Sequence, residues 1–287
     1  MSSPIEIGYK RKCSCPENHL SCVEARQWLK NQLGVWQFQY EARDVRSKDV
    51  HPAVFPISLA TRIIEQFSHA GELILDPFVG TGTTLVAAQD LDRNAIGFDI
   101  NEDYIELAKS RISRQLSLFD TEQFAIREDA RNISNLIEPN TVKLLLTSPP
   151  YANLLNRRRK NKSRRGDQRK NCQYNKIEQY SQDERDLGTL GAPEFEVALK
   201  EIFAGLRSLF LPSAHLLINI TDAWIDGKRV PLHISVIKAL ESAGYEFRNT
   251  IIWDRRNIVN RIGIFGWPSN YITMGTTFEY ILDFTVL

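Results

Sequence analysis

The segment Leu73-Ile-Leu-Asp-Pro-Phe-Val-Gly-Thr-Gly-Thr-Thr84 restricts this chain more than any other. Three aliphatic residues ending in an acid read as a short buried strand. Gly80 and Gly82 then let the backbone turn sharply and approach a ligand closely, and Thr83 to Leu91 reads as a helix. The alternation continues downstream. Ala95–Asp99, Phe124–Asp129 and Val142–Thr147 are predicted strands, and Asp103–Ile112 is a predicted helix. Glu194–Phe210 carries helical spacing, His215–Ile220 reads as a strand, Ile234–Ala243 as a helix, and Phe247–Trp253 and Glu279–Thr285 as the last strands. Upstream, Ile57–Phe67 is a predicted helix whose stripe is Leu59, Ile63, Ile64 and Phe67. Glu24–Leu33 is a predicted short helix with Ala25, Trp28, Leu29 and Leu33 on its apolar face, and Val35–Tyr40 a strand. Strands alternating with helices predict an α/β domain with a doubly wound, mostly parallel sheet.

In such sheets ligands bind at the carboxyl ends of the strands. Asp76, Asp99 and Asp129 are expected to end three successive strands, a pattern hard to ascribe to chance. Asp99, 17 residues after Gly82, suits the ribose hydroxyls of an adenosine ligand, and Asp129 could meet the edge of an adenine. The full G-x-G-x-x-G is absent, and so is the G-K-[ST] of a phosphate loop, which argues against a dinucleotide or a nucleoside triphosphate.

The second motif is Thr147-Ser-Pro-Pro-Tyr151, which caps the apolar run Lys143-Leu-Leu-Leu. Two prolines remove two backbone donors and stiffen the loop, leaving the carbonyls of Ser148 and Pro149 as acceptors. A hydroxyl and a carbonyl can hold the two hydrogens of an exocyclic NH₂ and aim the nitrogen lone pair at an electrophile. Tyr151 supplies a face for a flat base. Read alone, the same residues also fit a proline-rich turn after a core strand.

Charge is distributed unevenly. The net charge is +1, yet residues 157–170 hold Arg157, Arg158, Arg159, Lys160, Lys162, Arg164, Arg165, Arg169 and Lys170 against Asp167 alone. That segment carries +8 and leaves the rest of the chain at −7, which predicts a polyanion contact at one place. Residues 152–193 are polar and aperiodic and read as an insert within one domain of 287 residues. No apolar run approaches the ~20 residues of a membrane helix, and the N-terminus lacks the apolar core of a signal peptide, so a cytoplasmic home is expected. Cys13, Cys15, His19 and Cys22 form C-x-C-x₃-H-x₂-C, a zinc set by residue type. The spacing departs from C-x₂-C and no second half-site follows, so reduced structural thiols and no metal are the expectation.

Together, Asp-Pro-Phe-Val-Gly-Thr-Gly-Thr-Thr and Thr-Ser-Pro-Pro-Tyr resemble the amino-group DNA methyltransferases that use S-adenosylmethionine. His51-Pro-Ala-Val-Phe-Pro56 is similar to the H-P-x-x-x-P element before the cofactor loop of that family. Ala95–Asp99 with Tyr104 and Arg111 resembles its next strand and helix, and Ile251-Ile-Trp253 and Glu279–Phe284 its late strands. The resemblance implies a Rossmann-like methyltransferase fold. It also implies an S-adenosylmethionine pocket of His51, Pro52, Phe55, Pro56, Asp76, Pro77, Phe78, Gly80, Gly82, Thr83, Asp99 and Asp129, and a catalytic loop of Ser148, Pro149, Pro150 and Tyr151. Serine, where adenine enzymes typically carry Asp or Asn, favours N4 of cytosine in double-stranded DNA, reached by base flipping, with N6 of adenine as the alternative. A cognate restriction enzyme would be a natural partner and the nucleoid a natural setting.

Two departures from the family stand out. The cofactor element precedes the catalytic loop, and with the last predicted strand close to residue 287 no large C-terminal recognition domain is expected. Target recognition is therefore assigned to the insert, with Arg157, Arg158, Arg159, Lys160, Arg164, Arg165 and Arg169 as its DNA contacts. Trp224, Trp253 and Trp267 read as core or rim residues, and Phe265-Gly-Trp-Pro268 as an edge of the base pocket. The rival readings are an RNA or protein-amide methyltransferase, an inactive cofactor-binding module, and a small-molecule amine methyltransferase. For the last, the +8 segment would have no purpose.

Overall fold

The structure is a computed structural model. It describes residues 5, 11–16, 18–44, 54–113, 121–151, 183, 185–225, 228–258, 266–271 and 274–286. In chain order the elements are α1 (Ala25–Asn31), β1 (Val35–Trp36), α2 (Ile57–Phe67), β2 (Leu73–Asp76), α3 (Thr83–Asp90), β3 (Asn94–Asp99), α4 (Glu102–Ser113), β4 (Gln123–Arg127), β5 (Val142–Thr147), α5 (Ala192–Leu206), β6 (Phe210–Ile220), β7 (Ala223–Ile225), β8 (Lys228–Val230), α6 (Leu232–Ser242), β9 (Tyr245–Asp254), β10 (Gly266–Trp267), β11 (Asn270–Tyr271) and β12 (Phe278–Val286). Eight strands form one sheet in the order β1-β9-β12-β6-β5-β2-β3-β4. Every pairing in it is parallel except those of β12, which runs antiparallel between β6 and β9. This is the expected doubly wound, mostly parallel sheet of a Rossmann-like fold.

Both faces of the sheet are covered, and the strands show why. Leu73, Leu75, Leu145, Leu216, Ile218 and Leu282 point into a core shared with α5 and α6. Their neighbours Ile74, Leu144, Leu146, Leu217 and Ile281 point the other way, into a core with α2 and α3. Side chains alternate across a strand, so runs such as Leu73-Ile-Leu and Leu144-Leu-Leu carry apolar residues at every position because both faces are buried. Order reverses at β2: β3 and β4 lie on one side of it and β5 and β6 on the other. A crevice forms at the carboxyl ends of strands at such a reversal. Asp76 ends β2 there, and Ser148 follows β5 there.

Several sequence expectations shift. α1 forms, but its predicted face is wrong: Leu29 and Leu33 are exposed, and Asn31 is buried instead. β1 spans only Val35–Trp36 rather than continuing to Tyr40. The helix predicted to reach Phe210 stops at Leu206, and Phe210 begins β6. β4 ends at Arg127, so Asp129 is not a strand end; it caps the short helical turn Ala130–Asn135, accepting from the Arg131 amide at 2.9 Å. Asp186 and Leu187, within the segment read as an insert, are buried, and α5 starts at Ala192. Trp253 is buried in the core as read from the sequence. Among the described residues, no helix is long and apolar enough to cross a membrane.

Candidate active site

The two motifs meet through one side chain. Asp76, at 2% exposure, accepts hydrogen bonds at Oδ1 from the Phe78 amide (3.1 Å) and Thr147 Oγ1 (2.6 Å), and at Oδ2 from Thr84 Oγ1 (2.6 Å). The acid of the glycine turn is thus bonded to the residue immediately before Ser148. It joins β2, the turn, α3 and β5. Burial pushes its carboxyl up to about 6 in spite of those three donors.

The turn is braced from three sides. The Val79 amide donates to the Phe98 carbonyl at 2.8 Å, which lays the turn against β3. Gly97 allows this approach, because a Cβ there would come within 2.3 Å of Val79 Cγ2. Arg111 of α4 donates to the Thr81 carbonyl at 2.6 Å and to Thr83 Oγ1 at 3.3 Å. Asp99 accepts at Oδ2 from the Gly80 amide (3.0 Å) and at Oδ1 from the Asn101 amide (2.9 Å). Burial, with the like charges of Asp76 and Asp186, pushes Asp99 up to about 7 against those donors.

An open cleft beside the turn reaches the Ser148–Tyr151 loop. Phe55, Asp76, Pro77, Phe78, Gly80, Thr83, Asp99 and Asp129 border it, as do Ser148, Pro149, Pro150 and Tyr151. Twelve of the residues singled out in the sequence for cofactor binding or catalysis are therefore gathered at one cavity. Two are not. Pro56 is buried at the N-cap of α2, where its carbonyl accepts from the Leu59 amide at 3.1 Å. Gly82 serves packing: its φ is +82°, and a Cβ would lie 2.8 Å from Ala108 Cβ on α4. His51, Pro52 and the basic residues Arg157, Arg158, Arg159, Lys160, Arg164, Arg165 and Arg169 lie outside the described residues, as does Phe265.

The structure adds residues that the sequence did not single out. Asp186 and Leu187 border the cleft, with Glu128, Arg131 and Arg185. Arg131 grips both oxygens of Asp129, at 3.1 and 3.0 Å. Behind the loop lies a buried polar network. Ser148 Oγ and Tyr151 Oη are 3.1 Å apart, and Tyr151 Oη donates to Glu279 Oε2 at 3.4 Å. Asn219 Nδ2 donates to Glu279 Oε2 (2.7 Å) and to Tyr151 Oη (3.4 Å), and Arg255 pairs with Glu279 Oε1. Asn219 comes from β6 and Glu279 from β12, neighbours in the sheet but 60 residues apart in the chain. Only their inward register on late strands could have hinted at the network.

Comparison with known sequences agrees with this geometry. Residues 3–110 match the sequence model of a DNA methylase family that joins N6 and N4 enzymes, and residues 57–187 match that of the D12 class N6 adenine-specific DNA methyltransferases. The Type II methyltransferase M.HpaI of Haemophilus parainfluenzae is 38% identical over 91 residues, 32% of this chain and 29% of the relative. M.SmaI of Serratia marcescens is 42% identical over 86 residues (30% and 28%), and M.BglI of Bacillus subtilis 32% identical over 118 residues (41% and 32%). The matches span about a third of the length of these relatives. Among solved structures, TrmN from Thermus thermophilus is similar at 16% identity and a TM-score of 0.47, covering 80% of this chain and 48% of that one. Residues 3–110 and 57–187 are thus similar to amino-group DNA methyltransferases, each match covering less than half of the chain.

Proposed function

We propose that this chain transfers a methyl group from S-adenosylmethionine to the exocyclic N4 of cytosine in double-stranded DNA. The observation that carries the reading is the Thr147–Asp76 hydrogen bond of 2.6 Å, which ties the Ser-Pro-Pro-Tyr loop to the acid-lined cleft. Its acids, buried Asp76 and Asp186 and half-buried Asp99, disfavour a polyphosphate and suit a cation with ribose hydroxyls. When bound, S-adenosylmethionine supplies a methyl group already activated on a sulfonium.

Asp99 would accept from the ribose hydroxyls. Phe55, Pro77, Phe78, Gly80, Thr83 and Asp129 would enclose the rest of the cofactor. Ser148 and the carbonyls before each proline would hold the substrate amino group. With Tyr151 donating to Glu279, Ser148 donates to Tyr151 and keeps its oxygen lone pairs for the amino hydrogens. The amino nitrogen sheds a proton when it gains the methyl group. The series Ser148, Tyr151, Glu279 offers that proton a path to a carboxylate, and Arg255 balances the charge of Glu279. The remaining task is positioning and exclusion of water. Flipping the base out of the duplex costs a few kcal/mol, which phosphate contacts from residues 157–170 would help offset in a salt-dependent manner.

A second reading, N6 of adenine, is favoured by the D12-class match over residues 57–187. Nucleoside mass spectrometry of DNA from cells expressing the chain separates the two. N4-methylcytosine, absent with Ser148→Ala/Tyr151→Ala, supports the proposal. N6-methyladenine with the same dependence supports the second reading, and neither mark, in a folded protein, rejects both.

A further inference from the structure

At the opposite end of the sheet, three cysteines and a histidine converge. Cys13 Sγ, Cys15 Sγ, Cys22 Sγ and a ring nitrogen of His69 all lie within 4.8 Å of one another. His69 is not the histidine of the local motif. It sits just before β2, 47 residues beyond Cys22, and is 1% exposed. His19 contributes only its backbone carbonyl.

We propose that Cys13, Cys15, Cys22 and His69 form a closed structural zinc site. The donor atoms are already close to the edges of a tetrahedron. With Zn–S near ~2.3 Å and Zn–N near ~2.05 Å, a tetrahedral site has S···N edges of about 3.6 Å and S···S edges of about 3.8 Å. The Cys13 and Cys22 sulfurs lie 3.3 and 3.4 Å from His69 Nδ1. The tautomer is also set. His69 Nε2 lies 2.9 Å from the His19 carbonyl, which can only accept, so Nε2 carries the hydrogen and Nδ1 presents its lone pair to the sulfurs. A ligating imidazole that donates its other N–H to a carbonyl is the usual support of such a ligand. Arg11 completes the surroundings. Its Nε donates to Cys13 Sγ at 3.1 Å, and its Nη2 donates to the carbonyls of Cys15 and Pro16, both at 2.9 Å. Three thiolates on Zn²⁺ leave a net charge of −1, which this guanidinium offsets.

Three cysteines and one histidine select zinc over harder metals, and four protein ligands leave no position for substrate. The site lies at the amino end of β2, while the cleft lies beyond its carboxyl end at Asp76. Its work is therefore to fasten residues 11–22 onto the sheet. The segment's own packing is light: the Lys12 amide donates to the Ala70 carbonyl at 2.8 Å, and its side chains are largely exposed or half-buried. Binding releases the cysteine thiol protons to solvent.

The test is the zinc content of the full chain purified without added metal, followed by Co²⁺ titration of the chelator-stripped, reduced protein. One zinc per chain is expected, and one Co²⁺ giving tetrahedral visible bands with thiolate charge transfer in the near ultraviolet. His19→Ala should keep both, since only its carbonyl is used. His69→Ala and Cys22→Ser should weaken Co²⁺ binding more than ~100-fold, beyond what loss of a supporting group does. Neither zinc nor the 1:1 cobalt spectrum in the folded wild-type chain would overturn the proposal. So would loss of metal by His19→Ala to the extent of His69→Ala. Should the ligand variants not fold, the wild-type and His19→Ala titrations decide.

Discussion

Replacing Asp99 by asparagine separates stability from ligand binding. The Asp99 carboxyl is raised from an ordinary 3.8 to about 7, by burial first and then by the charges of Asp76 and Asp186. A raised carboxyl favours the protonated form in the folded protein. Folding therefore takes up a proton between pH ~4 and ~7, and the stability of the ligand-free protein falls across that window. Below it both states are protonated and the effect vanishes; above it the loss is complete and constant. At ~1.36 kcal/mol per factor of ten, the loss at pH 8 is on the order of 4 kcal/mol. Relaxation around Asp99 lowers the amount realised to roughly 2–4 kcal/mol. The amide of the Asp99→Asn variant carries no charge at any of these pH values. The difference in unfolding free energy between variant and wild type should therefore grow in favour of the variant by that amount from pH ~4.5 to pH ~8. Asp76 titrates in both proteins and cancels except for its coupling to Asp99. Urea unfolding at half-unit pH steps measures the difference, and calorimetry with S-adenosylmethionine should show that the variant has lost most of its affinity. A difference that is flat with pH, or that moves against the variant, would refute the reasoning.

Thr147→Val removes the 2.6 Å donor to buried Asp76 and should cost roughly 1.5–3 kcal/mol in denaturant unfolding, more at pH ~8 than at pH ~5, because the carboxylate loses part of its support. Gly82→Ala should cost about 2–4 kcal/mol, from a φ of +82° and a 2.8 Å collision with Ala108, whereas Gly205→Ala on open α5 surface should gain about 0.5–1 kcal/mol. Tyr151→Phe and Glu279→Gln should both lower single-turnover methylation by about 10²-fold or more, with cofactor affinity within about 3-fold of wild type, since the network touches the loop and not the ribose end of the cleft. Equal loss of cofactor affinity in these two variants would count against the proton path.

What could be read in the chain was local. Leu73-Ile-Leu-Asp76 and Lys143–Thr147 are continuous apolar runs because both faces of their strands are buried, and Gly80 sits where a strand must turn tightly into a helix. Asp76 and Asp99 could be found by their position at strand ends, whereas Asp129 lies two residues beyond β4. What failed was long-range. The α1 stripe looked amphipathic, yet the helix turns Asn31 inward, where Gln27 and Gln66 bond it, and leaves Leu29 and Leu33 outside. Gly82 belongs to the helix contact with Ala108, which no spacing within the turn reveals. Asp186 lies in a stretch without periodicity, and Glu279 and Asn219 meet only through the antiparallel pairing of β12 with β6. The cysteine cluster shows the same limit: the motif offered His19 as the nearby ring, and folding delivered His69 from the start of β2 instead.

The central claim is methyl transfer by the Ser148–Tyr151 loop to a base amino group. It is tested most directly by incubating the purified chain with duplex DNA and methyl-deuterated S-adenosylmethionine, then digesting the DNA to nucleosides for mass spectrometry. The account predicts a deuterated methyl group on the exocyclic nitrogen of cytosine, and none with Ser148→Ala/Tyr151→Ala. Labelled cofactor bound by a folded protein that marks no DNA base would contradict it.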